Sequence, residues 1–216
     1  MSPLRRWWGR RERPHRLTPA LSAEIRESFE LAAADEAHFP STIDPRIYHV
    51  KLIADFFGDL SGKAVLDVGC GKGRFARIFK ERHSTASIVA LDLAVAMLRA
   101  APPSLLRVSS SMLQLPFPDS RFDAAYATES LEHAVNIEAA VAEICRVLKP
   151  GGRLVIIDKN AAQWGKLETP HWEKWFRPAE LERLLRCHCS HVESRPISYW
   201  EDVPPDGLFH AWLATR

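Results

Sequence analysis

No stretch of the sequence approaches the roughly 18 consecutive apolar residues of a membrane span, so a membrane-spanning protein is not expected. Cysteine is scarce. The four present, Cys70, Cys145, Cys187 and Cys189, are too few and too scattered for a disulfide framework and suit a reducing cytoplasm. Cys187-His188-Cys189-Ser190-His191 has no second ligand pair nearby, so it does not read as a closed zinc site but as a helix end turning into a strand. A strong net charge is missing too: the 216 residues sum to +2. The imbalance sits at one end, where residues 1–16 hold six Arg against Glu12, a net of +5 that leaves −3 for the remainder. Residues 1–17 are therefore read as a flexible basic arm, and residues 18–216 as one domain. The arm has no apolar core and does not read as a secretory signal. Trp7 and Trp8 within it suit an anionic surface, nucleic acid or lipid headgroups, but the acidic remainder argues against a nucleic-acid partner.

An apolar content of 46% is ordinary for a globular protein, and the length allows one core of six or seven strands with helices on both faces. Ala64-Val65-Leu66 is a short strand-like run closed by Asp67. Gly69, Gly71 and Gly73 then alternate, and Arg74-Phe75-Ala76-Arg77-Ile78-Phe79 opens a helical pattern. Strand, glycine turn and helix together bring a ligand against bare backbone at the carboxyl edge of a sheet. The spacing departs from two nucleotide motifs. Arg74 stands where a dinucleotide fingerprint needs its third glycine, and Lys72 is followed by Gly73 rather than the Ser or Thr of a phosphate-binding loop. A carboxylate just ahead of the glycines would repel a pyrophosphate and suits a ligand carrying an ammonium group.

A second strand, Ser87 to Leu91, ends at Asp92, 19 residues after Gly73 and close to the roughly 20 expected of an acidic residue that grips a ribose. Asp92 is equally placed to cap a helix over Ala94 to Leu98. Asp123 to Thr128 reads as a fourth strand. A helix from Ile137 to Leu148 is stopped by Lys149-Pro150-Gly151-Gly152 ahead of a fifth strand, Arg153 to Asp158. Val192 to Tyr199 and Leu208 to Thr215 read as an antiparallel pair at the sheet edge. Thr18-Pro19 and Asp44-Pro45 each pair an N-cap with proline at the first helical position, so two helices are expected before the first strand.

The pattern D-x-G-x-G-x-G from Asp67 to Gly73 resembles motif I of the class I S-adenosylmethionine (SAM) methyltransferases. Asp92, Leu115-Pro116-Phe117, Phe122-Asp123 and the run LKPGGRLVI extend the resemblance from Phe56 to about Lys159, and the chain is similar to the type 11 branch of that family. The resemblance implies a Rossmann-like α/β fold: a seven-stranded, mostly parallel sheet in the order 3-2-1-4-5-7-6, the last strand antiparallel. It implies SAM as cofactor, with S-adenosylhomocysteine as product. Gly69, Cys70, Gly71 and Gly73 would admit the amino-acid part of SAM, and Asp67 would attract its ammonium. Asp92 and Leu93 would meet the ribose. Ser111, Met112 and Leu113 would meet the adenine, with Ser111 standing where the family usually has Asp. Thr128, at the end of strand four, would be a further cofactor contact.

Glu129-Ser130-Leu131-Glu132-His133 follows strand four. If helical, it puts Glu129, Glu132 and His133 on one face beside the reacting centre, where they are the candidate catalytic residues. The E-x-x-E-H spacing resembles that of quinone O-methyltransferases, where such residues hold a divalent metal; a metal-free base or polar wall is the alternative, and no metal ligand is assigned. By the same resemblance, residues 18–60 form cap helices over the cofactor and residues 160–178 an acceptor lid, with Tyr48, Trp164, His171 and Trp172 as candidate pocket walls. The function this implies is cytoplasmic methyl transfer from SAM to an O or N atom of a small-molecule acceptor. An RNA or protein methyltransferase guided by the basic arm, a SAM-binding regulator without activity, and a nicotinamide oxidoreductase remain alternatives.

Overall fold

The computed structural model describes residues 18–216; the basic arm lies outside the described residues. Two helices precede the sheet, α1 (Pro19–Ala32) and α2 (Tyr48–Phe57). Thr18 caps α1 through Oγ1, which accepts from Leu21 N at 3.1 Å. The second cap differs from expectation. Helix α2 starts at Tyr48 with Ile47 at its cap position, because the Asp44 carboxylate is held by the Arg46 backbone N–H and guanidinium instead.

The α/β body follows as β1 (Ala64–Val68), α3 (Arg74–Arg82), β2 (Ser87–Asp92), α4 (Val95–Ala100), β3 (Leu106–Ser109), β4 (Phe122–Thr128), α5 (Ile137–Val147), β5 (Leu148–Lys159), α6 (Pro178–Leu185), β6 (His191–Ile197) and β7 (Phe209–Thr215). The seven strands pair in the order β3-β2-β1-β4-β5-β7-β6, with β7 antiparallel to both neighbours and the other pairings parallel. All five residues of β1 are buried, as expected of a central parallel strand covered on both faces. Its side chains alternate between two cores. Leu66 and Val68 pack with Val141 and Ile144 of α5, while Val65 packs with Ile53 and Phe57 of α2 and Phe79 of α3.

Two boundaries moved. Strand β1 runs through Asp67 to Val68, so Asp67 lies inside the strand rather than ending it. Strand β5 starts at Leu148 and carries the Pro-Gly-Gly segment, because Leu148 pairs with Phe122 before a register shift brings Arg153 opposite Ala124. Strand order reverses between β1 and β4, and the crevice beyond their carboxyl ends is where open α/β sheets take ligands. Among the described residues no helix is long and apolar enough to cross a membrane.

Candidate active site

A cavity of about 820 Å³ opens at that crevice. Its near wall is the turn from Gly69 to Arg74, and the three glycines do different work. Gly69 has φ 71°, and a Cβ there would lie 2.5 Å from the Cβ of Ser130, so its absence lets the β4 loop close against the turn. Ser130 Oγ completes that contact by donating to the Val68 carbonyl at 2.6 Å. At Gly71 a Cβ would meet nothing within 4 Å, which leaves bare backbone facing the cavity. Gly73 is instead a packing glycine, where a Cβ would press on Leu105, Ala101 and Pro102.

Asp92 is 8% exposed at the end of β2. One carboxylate oxygen accepts from Gly71 N at 2.8 Å and the other from Ala94 N at 2.9 Å. It does not cap α4. That end is closed by Glu30 of α1, whose carboxylate accepts from Val95 N at 2.6 Å and Ala96 N at 2.8 Å. Burial raises the Asp92 pKa, and the backbone donors oppose the rise. Each carboxylate oxygen has a lone pair left, so a diol can still be held.

Gly69, Cys70, Gly71, Asp92, Leu93, Ser111, Met112, Leu113 and Thr128 line the cavity; Gly73 and Asp67 do not. Ser111 Oγ accepts from Leu113 N at 3.2 Å, and the Met112 methyl reaches over Gly69. Asp67 is 1% exposed, accepts from the Tyr126 hydroxyl at 3.0 Å, and leaves its other oxygen without a partner. Burial pushes its pKa up to about 7, with the Tyr126 hydrogen bond opposing and the Asp92 charge adding to the rise.

The opposite wall carries a buried acid–base cluster. Leu131–His133 is a single 3-10 turn, and Glu129 precedes it with φ 51°. The shared helical face expected for Glu129, Glu132 and His133 therefore does not form. Glu129 turns to Arg74, 3.0 Å away, while Glu132 and His133 join two residues distant in sequence. Lys159 at the end of β5 donates to Glu132 and, at 3.2 Å, to Glu173. Trp175 Nε1 donates to Glu173 at 2.7 Å, and Asp158 accepts from Glu132 N at 3.0 Å. The His133 ring nitrogens lie 3.6 Å from Glu132 and 3.8 Å from Glu173. Burial, reinforced by the Lys159 charge, lowers the His133 pKa to about 3 and keeps the imidazole neutral. Burial and the neighbouring Asp158 push Glu132 well above the usual carboxylate range. Burial works against the Lys159 ammonium, but Glu132 and Glu173 outweigh it and raise its pKa. Glu132, His133 and Glu173 bring one ligand atom each within 4.8 Å, a set able to hold a cation. The Lys159 ammonium already gives both carboxylates a positive partner.

The four aromatic and imidazole residues expected as pocket walls stand outside the cavity lining. Tyr48 packs into the α2–α3 core, Trp172 packs against Ile25 and Val135, and His171 meets Glu24 at 2.8 Å. Trp164 is 57% exposed and meets Trp175 edge-on. The segment 160–178 contributes Leu167, Glu168, Pro170 and Glu173 instead, while Ile25, Phe29, Phe39 and Pro40 come from α1 and the loop after it. Lys159 and Glu173 carried no sequence signal of their own; only their fold partners mark them.

Residues 66–156 match a family model described as a methyltransferase domain. A demethylmenaquinone methyltransferase of Tropheryma whipplei is 31% identical over 185 residues, covering 82% of this chain and 74% of that one. Its namesake in Renibacterium salmoninarum is 30% identical over 152 residues, 69% of this chain, and the chain spans only 61% of that relative's length. The 1,6-didemethyltoxoflavin-N1-methyltransferase of Burkholderia thailandensis, solved with S-adenosylhomocysteine, has the same fold with a TM-score of 0.66 at 23% identity, covering 93% of this chain and 91% of that one. Bare backbone at Gly71 and the spare acceptor capacity of Asp92 fit the amino-acid and ribose parts of the cofactor these proteins share. The chain belongs to the class I SAM-dependent methyltransferases.

Proposed function

We propose that the protein moves the methyl group of SAM to an O or N atom of a small-molecule acceptor bound against Glu132 and His133. The observation that carries this reading is one cavity lined at one end by the glycine turn and Asp92 and at the other by a buried acid–base cluster. When bound, SAM supplies a methyl already activated by its sulfonium. The chain has then to align an acceptor, exclude water and receive the acceptor's proton. Phe29, Phe39, Val135 and Leu167 give the far wall an apolar surface suited to the body of an organic acceptor. Neutral His133 orients the acceptor's O–H or N–H by accepting its hydrogen bond. Glu132, whose pKa burial and the neighbouring Asp158 raise, lies 3.6 Å from that ring and takes the proton it relays. Lys159 holds both carboxylates in place. The acceptors named for the two kinds of relative, a demethylmenaquinone and a didemethyltoxoflavin, are small molecules, which supports that class of acceptor here.

The test is an acceptor screen read by S-adenosylhomocysteine release, run beside RNA and protein acceptors. His133→Ala and Glu132→Gln are expected to lower kcat on the best small acceptor by about 10²- to 10⁴-fold, with S-adenosylhomocysteine affinity unchanged. Turnover confined to RNA or protein, or full activity in both variants, refutes the reading.

A further inference from the structure

Two cysteines far apart in sequence meet away from the ligand cavity. Cys145 lies near the carboxyl end of α5 and Cys189 in the turn between α6 and β6, and their sulfurs stand 3.8 Å apart. The two residues are 2% and 9% exposed, and neither lines the cavity. Strand β6 runs parallel to β5, since both are antiparallel to β7. The turn before β6 and the end of α5 before β5 therefore share the amino edge of the sheet, opposite the crevice that takes the ligand. The Arg216 guanidinium is fixed at the same edge, where it donates to the Arg146 and Leu148 carbonyls and to Ser120 Oγ at 3.2 Å. The Cys145 thiol beside it lowers the pKa of Cys189, burial opposes, and the Arg216 charge adds to the fall. The same hydrogen bond and burial push Cys145 the other way. One sulfur of the pair is thus favoured as thiolate, and the other is a thiol held against it.

We propose that Cys145 and Cys189 are a reversible redox latch, closed by a hydroperoxide, that fastens α5 to the turn before β6 and leaves the ligand cavity intact. With hydrogen peroxide, the Cys189 thiolate attacks one oxygen, becomes a sulfenic acid and releases hydroxide, which the proton already lost from Cys189 neutralises. The Cys145 sulfur then attacks the Cys189 sulfur, and the departing hydroxyl leaves with the Cys145 proton as water. Two thiols and one peroxide give one disulfide and two waters. Closure brings the sulfurs from 3.8 Å to about 2 Å. Helix α5 is fixed in the core through Val141 and Ile144, whereas Cys189 stands outside regular structure, so the turn supplies the movement. Exposed Cys187, two residues earlier, shows that this turn meets solvent. The loop closed by the bond carries β5, the segment 160–178 and α6, and restricting it in the unfolded chain stabilises the fold. The latch therefore stabilises the protein under oxidant rather than switching it off. It rests on neither the cofactor nor the acceptor reading.

The test is oxidation of the native full chain with hydrogen peroxide, followed by peptide mass mapping, thermal unfolding and S-adenosylhomocysteine calorimetry. Trypsin leaves Cys187 and Cys189 on one peptide, so Cys187→Ser is oxidised beside the wild type; Cys187 is exposed, and its replacement leaves the fold undisturbed. Both proteins are expected to yield the Cys145–Cys189 crosslinked peptide, and dithiothreitol should reverse it. The oxidised form should melt about 5 °C or more above the reduced form of the same protein. Its S-adenosylhomocysteine affinity should stay within about twofold of the reduced form, because the bond forms at the opposite edge of the sheet. Absence of the crosslink from Cys187→Ser, a crosslink that forms only in denaturant, or an oxidised protein that melts no higher overturns the latch. Loss of S-adenosylhomocysteine binding on oxidation overturns its separation from the cavity, whereas failure of the reduced protein to bind tells only against the cofactor reading.

Discussion

Replacing Asp67 with Asn should flatten the pH dependence of stability on the alkaline side. Asp67 is fully enclosed, and its folded pKa is raised from 3.8 to about 7 chiefly by burial. A carboxyl group raised in the folded state acts opposite to a salt-bridged one. Between those two values the folded protein holds a proton that the unfolded chain has lost, so this group's contribution falls as pH rises and levels off above about 7. Linkage over 3.8 to about 7 makes the loss between about pH 5 and pH 8.5 of order 2–3 kcal/mol. Asn keeps an oxygen for the Tyr126 hydroxyl but cannot ionise, so this part of the slope disappears. Urea unfolding of both proteins at the two pH values isolates the effect, because any pH-independent cost of the substitution cancels in the difference. The wild type should lose about 2 kcal/mol more than Asp67→Asn across that span. Slopes that agree within about 0.5 kcal/mol would refute the claim that a buried, protonatable carboxyl sits behind the glycine turn.

Other substitutions probe the remaining joints of the site. Asp92→Ala removes the acceptor for Gly71 N and for a ribose together, and S-adenosylhomocysteine affinity should fall about 100-fold or more by calorimetry, with no binding of NAD to either protein. Gly69→Ala should destabilise the fold by about 2 kcal/mol or more, read by chemical denaturation, since its Cβ would collide with Ser130. Gly71→Ala has open space and should cost only about 1–2 kcal/mol for its φ of 53°, but its methyl enters the cavity and should weaken S-adenosylhomocysteine about tenfold or more. Lys159→Met strands Glu132 and Glu173 without their cation and should cost roughly 3–5 kcal/mol, partly restored by adding Glu132→Gln.

The glycine-turn end of the cavity was legible because backbone geometry forces residue type there. A turn that closes on Ser130 and leaves Gly71 facing a ligand admits little but glycine, and a carboxylate that must receive Gly71 N sits one crossover away at Asp92. The alternation of apolar runs and helical segments gave the α/β class, whereas the strand order came only with the resemblance to the methyltransferases. The end of the cavity at Glu132 and His133 was harder to read. Glu132 and His133 were visible as a local spacing, but the spacing implied a helix, and the positive φ of Glu129 breaks it. No local pattern announces that φ, and the neighbours of the turn come from other strands: Glu129 N donates to the Ile157 carbonyl of β5, and Ser130 lies against Gly69 after β1. Lys159 and Glu173 reach the cluster from the end of β5 and from the segment beyond it, so only the folded chain brings them together. The aromatic residues of 160–178 suggested a wall for an acceptor. Trp172 is instead spent on fastening that segment to Ile25 of α1, as its burial there shows.

How the cavity is closed follows from that fastening. Helix α1 and the loop after it are held over the cofactor end by carboxylates: Glu30 at the start of α4, and Glu36 on Lys72 at 2.6 Å. Lys72 lies inside the glycine turn with its side chain almost fully buried, whereas Glu36 is largely exposed. The covering segment therefore supplies the charge that lets an ammonium sit buried in the ligand-binding turn. Without it, Lys72 would face a desolvation cost that is met only by swinging out to water, into the space above the turn. Covering the site and ordering its floor are thus one event. Glu30 works in the same direction. Asp92, the residue expected to cap α4, has both oxygens committed to Ala94 N and Gly71 N, and a carboxylate from α1 frees it from the helix. The N-terminal segment closes the cavity and leaves Asp92's remaining lone pairs for a ligand, a coupling that neither α1 nor the glycine turn shows alone.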